Sequence, residues 1–448
     1  MAIRVGCPIA LAKRANCSSC SVFFFIIKNK MQSYKKNLQI LYYLFMTKYT
    51  IHGNCINSVE LKCLVISRGI KVDRAVYRQH KNTARLNTSP LCCNCFLLSD
   101  GTVVQLTDTD FHLRHLSGIF NWSNIRLLKY MRDLSTPFSL RMQDGRAVLL
   151  YNDEEIDTVT FPPVSAFYRQ KTASGCPFVG NAVLQGLEWV SFQCLWSCEY
   201  AAAGHSCQFC FSGGDFEAAA KKGKTLPQAL PPSDLAEIVK YAINNDGVGN
   251  VQITGGSTFN GHAEAAHITK YLAAIGELQP RATGETLLYI TPPADLSLID
   301  RYFALGASRI ACSLEVWDMT LAREITPGKV NITGRDKHLR VLEYIVKKYG
   351  HGKAFSNLIV GVEDFTTLAE GATWLAERGI LPAPSVWMPM GKPVKGSMKA
   401  PDIDYYKRVK ELFAELYTKY KLEPTPSKGL NVCVGRDIWN YATGDFEF

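Results

Sequence analysis

Between residues 187 and 390 the sequence alternates six times between a short apolar run and a longer segment with helical apolar spacing. That alternation leaves few folds open. Strands joined by helical crossovers run parallel and must be covered by those helices. The strand runs fall at 187–193, 251–254, 287–290, 308–315, 354–361 and 384–388. Helical spacing covers 231–243, 263–275, 296–305, 336–349 and 368–378. The expected architecture is α/β, a partial (β/α)6 TIM-like barrel over 186–395, with a helical extension over 396–448. In such barrels functional groups gather at the C-terminal ends of the strands.

Four cysteines follow the first strand run: Cys194 and Cys198, then Cys207 and Cys210 with Phe209 between them. A chain without a secretory signature is expected to use thiols at this spacing for a metal or cluster rather than for disulfides. The two-residue spacer lets Cys207 and Cys210 turn toward one centre. Taken alone, the four thiols fit either a tetrahedral zinc site or a cluster held by three of them. The second strand run ends in Thr254-Gly255-Gly256-Ser257, where the glycines allow close approach to the backbone. Glu315 ends the fourth run, and Gly361-Val362-Glu363 ends the fifth.

The N-terminal 90 residues differ from the rest. They hold 15 Lys and Arg against 2 Asp and Glu, whereas the remainder holds 35 against 38. The formal charge of +10 therefore belongs to this stretch and is no nucleic-acid footprint of the whole chain. Its apolar runs at 22–27 and 41–46 are shorter than a membrane span. No sustained period marks a helix or strand within it. The expectation is that residues 1–90 are not a folded domain, with the natural start at Met31 or Met46. A chain beginning near Leu86 should then fold alone. An organelle presequence is the alternative reading. Residues 91–185 read as a small β-rich domain, with hairpin signals at Asp100-Gly101 and Asp144-Gly145. Cys92, Cys93 and Cys95 open it, and clustered, buried thiols are the expectation there.

The order of these motifs resembles the core of the radical S-adenosylmethionine (SAM) enzymes. The shared features are a cysteine cluster after the first strand, a glycine pair after the second, a polar end to the fourth and Gly361-Val362-Glu363 after the fifth. The resemblance implies a [4Fe–4S] cluster on Cys198, Cys207 and Cys210, with Cys194 as the reserve ligand in place of Cys198. The eight residues between Cys198 and Cys207 depart from the usual three-then-two spacing. By the same resemblance Thr254, Gly255, Gly256 and Ser257 would hold the SAM amino group. Ser257 stands where the family often has an acid. Glu315 would meet the ribose or amino group, Arg323 or Arg335 the carboxylate, and Gly361 and Val362 the adenine. Reductive cleavage of SAM would give a 5′-deoxyadenosyl radical that abstracts hydrogen from a substrate.

A small-molecule substrate is expected, with an electron donor such as flavodoxin or ferredoxin, in the cytoplasm and away from membranes. The slightly acidic balance beyond residue 90 disfavours nucleic acid. The alternatives are radical modification of a tRNA or a protein, and a non-enzymatic zinc-binding protein with all four cysteines on the metal. Trp387, Met388 and Met390 are candidates to line the substrate pocket, although core packing also explains them. Lys392 and Lys395 read as a solvated face.

Overall fold

The computed structural model describes residues 49–73, 75–76, 94–106, 136–161, 165–178, 180–185, 188–210, 228–278, 284–387, 400–426 and 433–444. By its contacts the chain divides after Asn57. In the first unit the described residues form one antiparallel hairpin, β1 (Tyr49–Ile51) with β2 (Asn54–Ile56). Everything below concerns the second unit.

Its centre is a seven-stranded sheet. Strands β10 (Trp189–Gln193), β11 (Asn250–Thr254), β12 (Thr286–Tyr289), β13 (Arg309–Ala311), β14 (Ala354–Val360) and β15 (Leu381–Val386) follow one another in space as in sequence, all parallel. The crossovers are α3 (Pro232–Asp246), α4 (His262–Gly276), α5 (Ser297–Ala304), α7 (Arg335–Tyr349) and α8 (Phe365–Glu377). They follow the short α1 (Ser58–Arg68) and α2 (Glu199–Ala202), and α6 (Met319–Ile325) lies between α5 and α7. Strands such as β10 and β11 are buried almost throughout, which is why they read as continuous apolar runs rather than as alternating ones. The six expected strands and the five expected helices between them are therefore present. A strand β9 (Ala182–Gln185), not expected from the sequence, pairs antiparallel with β10 and forms one edge of the sheet.

Two departures from the sequence reading have local causes. β15 begins at Leu381, ahead of its expected start, and includes Pro382 and Pro384. It is the other edge strand, so a missing N–H on its outer side breaks no ladder bond. β13 is short because Glu315 adopts a left-handed backbone, φ +71°, and rejoins the sheet only through an isolated bridge to Leu358. The small β-rich region also forms. β4 (Asn94–Leu97) and β5 (Val103–Leu106) make a hairpin, and β3 (Lys71–Val72), β6 (Phe138–Gln143), β7 (Arg146–Tyr151) and β8 (Glu154–Val159) make a four-stranded sheet. Cys95 lies on β4, whereas Cys92 and Cys93 lie outside the described residues.

The expectation for the N-terminal stretch fails at residues 58–73. All but the last residue of α1 is buried. It packs against α9 (Ile403–Tyr420), in the C-terminal extension that also carries α10 (Gly435–Thr443). Its charged residues are buried with partners: Glu60 with Lys410 of α9, and Lys62 with Asp437 of α10 at 2.8 Å. A helix buried on every face has no polar stripe, so amphipathic periodicity cannot reveal it.

A chain starting at Leu86 should therefore be insoluble or unfolded, since it lacks α1. Glu60→Ala should cost about 3 kcal/mol, because it leaves Lys410 charged and unpaired in the interior. Denaturant unfolding of the full chain checks the second expectation, and an unchanged midpoint refutes it.

Candidate functional site

The C-terminal ends of β11, β12 and β13 open onto one cavity of about 170 Å³, part of it continuous with solvent. Cys198, Cys207 and Cys210 line it together with Thr254, Gly255, Gly256, Ser257 and Glu315. Eight residues singled out in the sequence thus meet at one place. Cys194 does not line it; it is buried in the core, where its sulfur packs against Gly255. Burial pushes the Cys194 thiol up, away from thiolate. The Cys207 thiol is pushed up by burial as well, and opposed most by the charge of Lys329.

The cysteine loop is held against the turn after β11. Cys194 donates its N–H to Thr254 O at 2.7 Å, Gly256 to Leu195 O at 2.9 Å, and Glu199 to Ser257 O at 2.9 Å. The glycine pair serves this contact. A Cβ on Gly256 would stand 1.8 Å from Ser197 O, and one on Gly255 would stand 2.8 Å from Leu195 N. The sequence reading assigned the free space at Gly256 to an approaching ligand, but the cysteine loop itself fills it.

Lys329 is a cavity cation that sequence reasoning missed. It sits in a π-helical turn, Gly328–Thr333, and lines the cavity. Such turns are rare and often mark functional positions. Its ammonium donates to Glu315 Oε1 and to Ser313 O, both at 2.8 Å. Burial pushes its pKa down, but the charge of Glu315 beside it outweighs this and lifts it above its ordinary value. Lys329 therefore stays charged. The local signal for this turn is Pro327-Gly328. A Cβ on Gly328 would stand 2.5 Å from the Tyr200 ring, so only glycine lets the turn pass Tyr200. Tyr200 in turn hydrogen-bonds Thr333 at the far end of the turn.

Glu264, in the first turn of α4, also lines the cavity. Its carboxyl accepts from the N–H of Thr291 at 2.6 Å and from its hydroxyl at 2.9 Å. Burial raises its pKa to about 8, against those hydrogen bonds. The acid is therefore largely neutral at pH 7.

The remaining sequence candidates lie elsewhere. Arg335 donates to Trp317 O at 2.6 Å and stacks on the Trp317 ring, while Arg323 is exposed on α6; neither lines the cavity. Val362 packs with Phe209 against Val316, Ala322 and Ile325. It backs the aromatic residue between Cys207 and Cys210. Gly361 adopts φ +104° and donates its N–H to Tyr405 Oη at 2.9 Å. Glu363 accepts from the N–H groups of Trp317 and Asp318, and so secures the turn that starts α6. Trp387 is buried; Met388, Met390, Lys392 and Lys395 lie outside the described residues.

Residues 202–367 match the family model described as the radical SAM superfamily. The chain is 27% identical over 266 residues to bacteriochlorophyllide c C-7(1)-hydroxylase of Chlorobaculum limnaeum, covering 56% of this chain and 65% of that protein. Among solved structures it is similar to Streptococcus suis SuiB bound to S-adenosylmethionine. There the TM-score is 0.37 at 18% identity, over 53% of this chain and 46% of that one. Coproporphyrinogen III oxidase (HemN) from Escherichia coli gives a TM-score of 0.29 at 15% identity, over 39% and 41%. The chain thus spans about two thirds of the hydroxylase's length and about half or less of those two structures. The segment 202–367 is therefore similar to the radical SAM superfamily, whose members use a [4Fe–4S] cluster and SAM.

The residues present fit those cofactors. Three thiols, a charged lysine, a carboxylate and exposed backbone all face one cavity. Cys194 does not line the cavity that the other three cysteines share. Among the described residues, no three His, Cys, Asp or Glu side chains are placed to hold a single metal ion.

Gly256→Val should strip the iron from the protein by pushing Ser197 and Cys198 out of place. Iron content near that of wild type in anaerobically purified Gly256→Val would refute the structural account.

Proposed function

We propose that this protein is a radical SAM enzyme that abstracts a hydrogen atom from a small-molecule substrate. The observation that supports it most is that Cys198, Cys207 and Cys210 share one cavity with the Lys329–Glu315 pair at the strand ends. In this reading the three thiolates hold the cluster and leave one iron without a protein ligand. When bound, cluster and SAM supply a 5′-deoxyadenosyl radical by one-electron cleavage of the sulfonium.

The protein's own work is binding, orientation and exclusion of water. Lys329 holds the ligand's carboxylate, in place of the arginines expected from the sequence. Its partner Glu315 keeps the ammonium oriented and is at hand for a hydroxyl. The backbone of Thr254, Gly255, Gly256 and Ser257 faces the ligand's polar end. Glu264 ties α4 to the end of β12 through Thr291, so the cavity wall is rigid before any ligand enters.

A small-molecule substrate is supported by the hydroxylase relative, whose name gives a bacteriochlorophyllide as what it acts on. The acidic balance beyond residue 90 also favours it over tRNA. An electron donor of the flavodoxin or ferredoxin class completes the proposal. Among the described residues no helix is long and apolar enough to cross a membrane, and we place the protein in the cytoplasm.

With reductant, the anaerobically reconstituted protein should release 5′-deoxyadenosine from SAM, and Cys207→Ala or Cys210→Ala should abolish both the iron and the release. Lys329→Met should weaken SAM binding about 30-fold, the equivalent of about 2 kcal/mol for a charge-assisted hydrogen bond. Chromatography and calorimetry read these outcomes. Stoichiometric zinc with no reconstitutable iron would overturn the proposal.

A further inference from the structure

One side chain on the cavity wall, absent from every assignment above, has a hydrogen-bonding atom to spare. His338 lies in the first turn of α7, is 3% exposed and lines the cavity. Its Nδ1 stands 3.0 Å from Gly334 O, the carbonyl four residues earlier. A carbonyl can only accept, so Nδ1 carries the proton. Burial and the nearby charge of Lys329 push the imidazolium pKa down to about 3. The ring is therefore neutral, and Nε2 presents a lone pair. With Nδ1 turned back to its own helix, the edge bearing Nε2 is the one that meets the cavity. Among the described residues Nε2 has no hydrogen-bond partner. Nε2 is not among the fully buried atoms left without a partner, so a ligand in the cavity can reach it.

The surroundings limit what the missing donor is. Lys329 is close enough to depress the imidazolium, and Lys337 acts in the same sense. A second cation, such as a ligand ammonium, is disfavoured beside them. The same stretch of wall offers a second acceptor, Glu315, and a hydroxyl donates to such an acceptor without adding a charge.

We propose that His338 Nε2 accepts a hydrogen bond from a ribose hydroxyl of the adenosine nucleoside bound in this cavity. The assignment rests on the SAM reading given above and adds to it a residue on α7. His338 is a binding residue here: it orients the sugar, and so the carbon next to the sulfonium, without itself exchanging a proton.

Anaerobic calorimetry with S-adenosylhomocysteine, which does not undergo the cleavage, tests the contact on iron-loaded protein. His338→Phe should bind it about tenfold more weakly than wild type, and His338→Gln, whose amide oxygen can stand near the place of Nε2, should recover most of that loss. The 2′-deoxy or the 3′-deoxy form of the ligand should bind wild type about tenfold more weakly, and His338→Phe should then cause no further loss. Iron content and melting temperature show whether each variant is folded, and His338→Gln carries the test if His338→Phe is not. Equal affinity of wild type and variants refutes the contact. So does a loss of the same size with the parent and both deoxy ligands. A wild type that binds iron but no S-adenosylhomocysteine removes the nucleoside reading itself, and this assignment with it.

Discussion

The cysteine loop is fastened to the turn after β11 by three backbone hydrogen bonds, and the fit is too close for any side chain at Gly256. Much of the site follows from this contact. It fixes Cys198 at the cavity wall while Cys194 stays in the core. It also explains why two glycines stand together at a strand end. The pair is needed where backbone meets backbone, and the ligand benefits because the cysteines are then held before it arrives. A preorganised site spends less of its binding energy on ordering the protein.

A second constraint comes from charge in the interior. Lys329 lines a cavity that also holds three cysteines, two glutamates and a histidine. Its charge is balanced by Glu315, and burial, aided by that charge, keeps His338 neutral. Glu264 is held largely uncharged by burial. The wall therefore carries one cation, one anion and two neutral groups whose protonation is set by their surroundings. That arrangement suits a ligand that is itself zwitterionic and rich in hydroxyls. It also keeps a compact polar cavity from being destabilised by like charges.

The helix at residues 58–68 shows how far apart in sequence a stable pair can be. Glu60 meets Lys410 across 350 residues, and Lys62 meets Asp437 across 375. Both acids and both lysines look like ordinary surface residues when read in order. Only the packing of α1 against the C-terminal helices makes them interior pairs, and only then does this part of a basic N-terminal stretch become part of the fold.

The barrel was legible because buried parallel strands read as continuous apolar runs and their crossover helices as amphipathic ones. Both patterns are local. For the same reason the cysteine segment, the glycine pair and Glu315 could be picked out one by one, and the tertiary structure brings them to a single cavity. What the sequence alone could not decide depended on contacts between distant residues. Arg323 and Arg335 were chosen as cations because arginine suits a carboxylate. The cavity instead receives Lys329, because a π-helical turn admitted by Gly328 carries it past Tyr200. His338 gave no signal, since a lone histidine in an amphipathic helix looks like any other core residue. Its significance arises from one carbonyl that fixes its tautomer and from burial, aided by one lysine, that keeps it neutral, and only the folded chain sets those surroundings.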